Sequence, residues 1–402
     1  MQRIYMDYNS TTPLLPKVQE VYIKELNFYT NASSLYEGGR LGAKKIEKAR
    51  KQVASLVGAH QPKEIVFTAS GTESTNTIFN TMIFEGKKRN RNLIVTTKIE
   101  HPAVIQSVKR LKSFGFECEY LPVTSEGFVN IESYETAMNK KPLLVSIMTA
   151  NNEIGTIMNI KNLCQKAHAA GALFHTDAVQ AVGKIPFNAK EMGIDYASFS
   201  AHKIYGPKGV GALYIKEKSP IQPLLCGGEQ EFNLRAGTYN VVGIVAFGVA
   251  AEEALLNVKA NSDTIKKLRN RLANGLLKAI PNSTINGPLS TSLNQLNKKN
   301  NASPALRELP NTLNVSFPGA EGESILLHLD LLGISVSTGS ACASASLDAS
   351  HVLVAIGLDP ALAHSSIRFS IGMFTTEKEI DFVVRKVPVI IDQLRKMSPF
   401  YT

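Results

Sequence analysis

Ser198-Phe199-Ser200-Ala201-His202-Lys203-Ile204-Tyr205-Gly206-Pro207-Lys208-Gly209 sets one lysine between a histidine and an apolar residue, with small residues before it and a Gly/Pro turn after it. Upstream, Leu173-Phe174-His175-Thr176-Asp177-Ala178-Val179-Gln180 is an apolar run that ends in an acid, and an amide follows three residues later. Each segment alone has an ordinary reading: a surface lysine in a loop, and an acid capping the next helix. Together they put a confined amine and an acid at two strand ends. That pair is what pyridoxal phosphate (PLP) requires. The amine forms a Schiff base with the cofactor aldehyde, and the acid keeps the pyridinium nitrogen protonated.

Outward from these segments, apolar runs alternate with helical patterns. Residues 64–68, 93–96, 143–147, 173–176, 196–199 and 211–215 predict strands, and 161–170 predicts one of the intervening helices. Continuous apolar strands with helical crossovers predict an α/β fold, a mostly parallel central sheet covered by helices. Ligands in such sheets sit at the carboxyl ends of the strands, where Asp177 and Lys203 fall. Two long helices are expected over 241–256 and 263–279. Residues 281–310, rich in Asn, Ser and Leu, read as a polar surface excursion, and a helix over 377–396 closes the chain. The expected division is a large cofactor domain, 16–260, and a smaller α+β domain from 1–15 and 261–402. The smaller one carries a mobile loop at about 333–348.

A chain of 402 residues, 44% hydrophobic, buries a large core. No run is expected to approach a membrane span. The segment Met1 to Asp7 meets an acid early and lacks the apolar core of a signal peptide, so a cytoplasmic location is expected. The formal charge is +10, with basic clusters at Lys87-Lys88-Arg89-Asn90-Arg91 and Lys298-Lys299. Without zinc-finger spacing, an RNA-recognition aromatic motif or any tryptophan, these read as solvated helix ends and loops rather than a direct nucleic-acid site. None of the four cysteines forms a CxxC pair. Cys118, Cys164 and Cys226 are expected to be buried and structural.

Other segments supply parts of a cofactor site. Thr68-Ala69-Ser70-Gly71-Thr72-Glu73-Ser74 follows a strand and opens a helix, so its amides and hydroxyls suit phosphate, although an ordinary N-cap explains it equally. Ser200 and His202 stand ready to complete that cage. His101, in Glu100-His101-Pro102, is placed to lie on a pyridine ring or to move a proton. Asn151-Asn152-Glu153-Ile154-Gly155 offers amides at another strand end, though turn residues need no such role. Cys342 lies in Ser337 to Ser346, a run of ten small or weakly polar residues. Such a run cannot fill a core and suits a loop that carries a reactive thiol. Arg368 sits within an apolar strand. A buried arginine must be paired, either by a substrate carboxylate or by a structural acid.

The set DYNSTTP, TASGTES, EHPAV, NNEIGT, HTDAVQAVGK, SFSAHKIYGPKGVG, LRAGT, STGSACAS and HSSIRFS resembles the cysteine desulfurases of the NifS/IscS type, within the class V aminotransferase family of fold-type I PLP enzymes. The similarity runs in order from Tyr5 to about Tyr401. It departs at a long polar stretch near 289–304, and at Asn9-Ser10, where a small pair is more usual. The resemblance implies that Lys203 holds PLP and then moves the substrate Cα proton, that Asp177 binds the ring nitrogen, that Gln180 donates to the phenolate and that His101 stacks on the ring. It implies phosphate contacts from Gly71, Thr72, Ser200 and His202, with Thr238 reaching the phosphate of a neighbouring subunit in a homodimer. Asn152 and Arg368, joined by Asn31, would hold the carboxylate of L-cysteine. Cys342 would take the sulfur as a persulfide, releasing L-alanine. It would pass the sulfur to an iron–sulfur scaffold protein of the IscU/NifU type, with which it would at most share a cluster transiently. No resident metal is implied, and no membrane. Within PLP chemistry, a selenocysteine lyase or a class V aminotransferase would use the same lysine and acid; outside it stand a scaffold role or a metal at His101, His175, Asp177 and His202.

Overall fold

The computed structural model describes residues 3–289, 293, 306–338 and 349–398. Thirteen strands order its described part. They are β1 (Ile4–Tyr5), β2 (Ile65–Thr68), β3 (Leu93–Thr97), β4 (Glu117–Leu121), β5 (Leu144–Ser146), β6 (Leu173–Asp177), β7 (Tyr196–Ser200), β8 (Gly211–Ile215), β9 (Thr284–Asn286), β10 (Thr312–Ser316), β11 (Ile334–Ser335), β12 (Ser337–Thr338) and β13 (Ser366–Ser370).

The central sheet has the order β2-β8-β7-β6-β5-β3-β4. Strands β7, β6, β5, β3 and β4 pair in parallel, while β8 runs antiparallel to both its neighbours. Strands β2, β5, β6, β7 and β8 are buried along their whole length, which is why each reads as a continuous apolar run rather than an alternating one. One hydrophobic cluster lies on the face of Phe67, Val145, Phe174 and Phe199, and a second on the face of Val66, Ile94, Leu144 and Tyr196. Helices Gly71–Arg89 and Pro102–Lys112 supply Ile78, Phe79, Val104 and Val108 to the second.

A third cluster holds a separate four-stranded antiparallel sheet, ordered β12-β13-β10-β9, against helices Gly322–Leu331 and Glu377–Met397. The chain start joins this part. Strand β1 pairs in parallel with β11, and Met6 is buried among Leu272, Phe317 and Ile334.

Three expectations change. Residues 241–256 and 263–279 form not two helices but one, Val241–Ala279, which crosses the boundary expected at 260/261. The intervening polar residues 257–262 contain neither Gly nor Pro, so nothing breaks the backbone; only the buried face lapses between two cores. This helix is also long and apolar enough, with a mean hydropathy of 1.8 over its most apolar window, to cross a membrane by length and composition. The first turns instead press small residues onto helix Glu37–Val57, where a Cβ at Gly248 would stand 2.7 Å from Ala49 Cα. Finally, Cys226 is exposed, in the loop before Gly227, while Cys164 is buried and Cys118 half-buried.

Candidate active site

The carboxyl edge of the central sheet collects the candidate residues. Strand β2 leads to Ser70 and Gly71, β3 to Glu100 and His101, and β5 to Ala150 and Asn152; β6 ends in Asp177 and β7 in Ser200. A cavity of about 300 Å³ is lined by Gly71, Thr72, His101, Asn152, Asp177, Gln180, Ser200, His202, Lys203 and Arg368, together with Asn9, Ser10 and Ser70.

At one end, helix Gly71–Arg89 begins. Ser70 caps it, its Oγ accepting from the Glu73 N–H at 3.1 Å. Gly71 has no room for a side chain, since a Cβ would come within 2.8 Å of Val179 Cγ2. Glu73 is turned away from the opening. Its carboxylate accepts from the Ala69 N–H at 2.8 Å and from Arg235 Nε at 2.9 Å, so the acid is neutralised and the helix start keeps its positive field. His202 contacts Thr11 Oγ1 at 3.1 Å through Nδ1. Burial, and then Lys203, Lys208 and Lys184, push its pKa down to about 4, so it stands neutral at pH 7.

At the other end, Asp177 accepts the Val179 N–H at 3.0 Å. Burial raises its proton affinity, against the opposing pull of His101, the Val179 N–H and Lys203. His101 caps helix Pro102–Lys112, its Nδ1 accepting from the Ala103 N–H at 3.1 Å. That bond leaves the ring proton of the neutral form on Nε2. Burial lowers the pKa of His101; Asp177 raises it, and Lys203 and His351 lower it again. Glu100, behind it, accepts from Thr97 Oγ1 and the Met148 N–H through Oε1, while its Oε2 is buried without a partner. Burial pushes its carboxyl up to about 8.

The amine of Lys203 donates to the backbone carbonyls of Asn9 at 2.5 Å and Ser10 at 2.7 Å. Arg368, on β13, is paired by a structural acid. Its Nη2 donates to Asp7 Oδ1 at 2.8 Å and to Ser10 Oγ at 2.9 Å, and its Nη1 to the Asn152 carbonyl at 3.2 Å. A structural acid is therefore present, yet Nε is buried with no hydrogen-bond partner in a residue that lines the cavity.

Other expectations are met differently. Gln180 lines the cavity, but its amide is committed within the protein: Nε2 donates to the Asn9 carbonyl at 2.9 Å and Oε1 accepts from Lys184. Asn31 is not brought to the cavity. It is exposed on a surface loop, its Oδ1 turned back onto the Ser33 N–H in a local turn. Thr238 is exposed, outside this cavity, on the segment whose Arg235 grips Glu73. His175 belongs to the sheet interior, bonded to Ser146 and Ser198 Oγ, and burial pushes it down to about 3. Cys342 and most of its loop lie outside the described residues, as does most of the polar stretch 289–304. Asp7, Asn9, Ser10 and Lys184 are site residues that the sequence reading missed. The first three stand in DYNSTTP and the last ends HTDAVQAVGK, motifs quoted without a role for these positions.

Comparison with known proteins agrees with this geometry. The aminotransferase class-V model matches residues 4–383. A cysteine desulfurase IscS of Clostridium botulinum (strain Hall) is 45% identical, covering 100% of this chain and 97% of its own. A NifS-like protein of known structure, 39% identical, superposes with a TM-score of 0.87 over 98% of this chain and 100% of its own. SspA, solved in complex with cysteine, is 31% identical, with a TM-score of 0.77 over 93% of this chain and 100% of its own.

Proposed function

Because this chain belongs to the class V aminotransferase family, as its full-length relatives among the cysteine desulfurases require, we propose that it removes sulfur from L-cysteine with pyridoxal phosphate, leaving L-alanine and a persulfide on Cys342. The observation that carries this reading is one cavity that faces an amine, a buried acid and a buried guanidinium together: Lys203, Asp177 and Arg368. The residues present fit PLP. Ser70, Gly71 and Thr72 offer amides and hydroxyls at a helix start whose acid is neutralised by Arg235, which suits a phosphate. Lys203 offers the amine for the aldehyde, and Asp177 the carboxylate for the ring nitrogen. Arg368, with one buried nitrogen still unpartnered, suits the carboxylate of an amino acid.

When bound, PLP supplies an electron sink that labilises the bonds at the substrate Cα and makes its sulfur electrophilic. The protein's own groups do the rest. Asp177 holds a proton at the ring nitrogen. His101, its pKa lowered by burial, would cover the ring. Arg368 and Asn152 orient the substrate so that its Cα–H faces the Lys203 amine, which takes and returns that proton. The Cys342 thiolate attacks the substrate sulfur. An S–S bond forms, the C–S bond breaks, and the electron pair stays with the carbon fragment, which takes up protons to become L-alanine. The thiol is a far better nucleophile for this step than a hydroxyl, because its anion is accessible near neutral pH.

The reading carries further parts. The large unit, 16–260, holds the cofactor, and the smaller unit, 1–15 and 261–402, carries the cysteine. The active form is a homodimer in which Thr238, exposed on its own chain, reaches the neighbour's phosphate. The acceptor of the persulfide is a scaffold protein of the IscU/NifU type. A reducing cytoplasm keeps Cys342 free. The test is mass spectrometry of the protein after brief incubation with L-cysteine, beside a Cys342→Ser variant. Persulfide on Cys342 and loss of alanine release in the variant are expected. Persulfide on Cys118, Cys164 or Cys226, or undiminished alanine from the variant, would refute the assignment.

A further inference from the structure

Asn9, 2% exposed, uses every polar atom it has, and its partners come from both halves of the molecule. Its N–H donates to Ser370 Oγ at 2.9 Å, and its Nδ2 to the Asn152 carbonyl and to Thr312 Oγ1. Its Oδ1 accepts from Asn311 Nδ2 at 2.9 Å and from Lys184 Nζ at 3.1 Å. Its carbonyl accepts from Gln180 Nε2 and from the Lys203 amine. Lys184 closes the ring, because the same amine that holds Asn9 Oδ1 also donates to Gln180 Oε1. That second bond fixes which way the Gln180 amide faces, and so keeps its N–H on the Asn9 carbonyl.

We propose that Lys184 is a positioning residue for Lys203: through Asn9 and Gln180 it fixes the pair of backbone carbonyls, of Asn9 and Ser10, on which the Lys203 amine rests whenever it is not bonded to cofactor. The inference rests on Lys203 being the cofactor lysine. During turnover the substrate displaces that amine, which must then stay close enough to move the Cα proton. A carbonyl pair anchored to rigid elements is such a station, and a misplacement of about 1 Å there costs on the order of 100-fold in rate.

Lys184 acts here through its two hydrogen bonds. Burial, and then Lys203 and Arg368, hold its pKa well below that of an ordinary lysine. The Lys184 amine has two acceptors, Asn9 Oδ1 and Gln180 Oε1. The other ionisable groups around Lys203 are Asp177 at the end of β6, His101 after β3, neighbouring His202, and Arg368 on β13. Lys184 also helps to hold the His202 pKa down, and losing such a repulsion would raise the Lys203 midpoint, whereas losing the station lowers it; the direction of the shift in Lys203 therefore tells the two apart.

The test uses Lys184→Met, which keeps an apolar stem and loses both donations, and Lys184→Gln, a milder variant that keeps a neutral donor. One arm follows exchange of the Cα hydrogen of L-alanine with D2O by NMR in PLP-loaded protein, since L-alanine has no sulfur and reads the proton transfer alone. The other follows acetylation of Lys203 against pH by mass spectrometry in cofactor-free protein. Lys184→Met should slow exchange about tenfold or more at full visible absorbance. It should also lower the Lys203 labelling midpoint by about one pH unit, because the carbonyl acceptors favour the ammonium form. Lys184→Gln should shift both in the same direction by less. An unchanged midpoint in both variants, whatever the melting temperature, would overturn the proposal as a merely structural role, and a raised midpoint would overturn it in favour of a charge effect. A wild-type protein without cofactor absorbance or exchange would instead sink the functional reading. The labelling arm, which needs no cofactor, would still decide the role of Lys184.

Discussion

Removing one partner of the Arg50–Glu231 pair should cost as much as removing both, so that the two single losses are far from additive. Arg50 is 1% exposed and Glu231 2%. The guanidinium donates to both carboxylate oxygens at 2.7 Å, and the same carboxylate accepts the Phe67 N–H at 2.6 Å. Phe67 and Phe232 cover the guanidinium, with centroids at 5.0 and 4.9 Å. Glu231, Phe232 and Asn233 are consecutive left-handed residues with φ of 47°, 60° and 64°, each costing about 1 kcal/mol or more. The ion pair therefore holds a strained turn that leads into Arg235 and Thr238. A broken buried pair costs about 3–5 kcal/mol, because one charge is left buried. Arg50 keeps Glu47 at 2.9 Å and the Ile65 carbonyl at 2.6 Å, which favours the lower end. Arg50→Met and Glu231→Leu should thus each destabilise by about 3 kcal/mol. The double variant leaves only neutral backbone groups unsatisfied, at about 2–3 kcal/mol, so the sum of the two single losses overshoots it by about 3 kcal/mol. The chain has no tryptophan, so urea unfolding is followed by far-UV circular dichroism, at fixed protein and cofactor concentration. Additive single effects, or a double variant as unstable as their sum, would show that the pair is not what holds this turn.

Glu100 has its folded pKa raised to about 8 by burial, above an unfolded value near 4.3. Its contribution is therefore complete below about pH 4.3 and is lost as pH rises to about 8, by up to on the order of 5 kcal/mol. Glu100→Gln should flatten the fall in melting temperature across that window, and an unchanged slope would contradict the burial argument. Gly248→Val forces a side chain against Ala49 and should cost about 1–3 kcal/mol in denaturant unfolding. If it does not, the close helix contact is absent. Arg368→Lys loses the planar fork shared between Asp7, Ser10 and the cavity. It should raise KM for L-cysteine about 10- to 100-fold with cofactor absorbance retained, and an unchanged KM would remove Arg368 from the substrate site.

Where a candidate residue is confined to a short segment, local sequence was enough to place it at the cavity. Lys203 is marked by its own small and Gly/Pro neighbours, and Asp177 by the apolar run it terminates. The buried parallel strands declared themselves as continuous apolar runs, and strand ends are where such sheets bind ligands. Local pattern failed where a property belongs to two distant segments at once. The polar interval 257–262 looks like a break between helices, but whether a helix stops depends on backbone breakers and on what lies beside it, and none is present. Cys226 has the apolar neighbours of a core residue, yet its loop passes over the surface. The reversed direction of β8 is carried by its pairing with β7 and β2, not by its composition.

The sequence by itself determined the fold class and the family, and it marked the lysine and the strand-end acid that the proposed function assigns to the cofactor, because each is written within a dozen residues and stands in fixed order along the chain. Only the tertiary structure decided that Asn9 and Lys184 stand behind Lys203, that Asp7 already holds one nitrogen of Arg368, and that Arg50 is answered by Glu231, 181 residues away. The reason is physical. A buried donor or charge must find its partner in space, folding makes neighbours of residues with no neighbourhood in sequence, and the desolvation that makes those pairings obligatory exists only once the chain has closed around them.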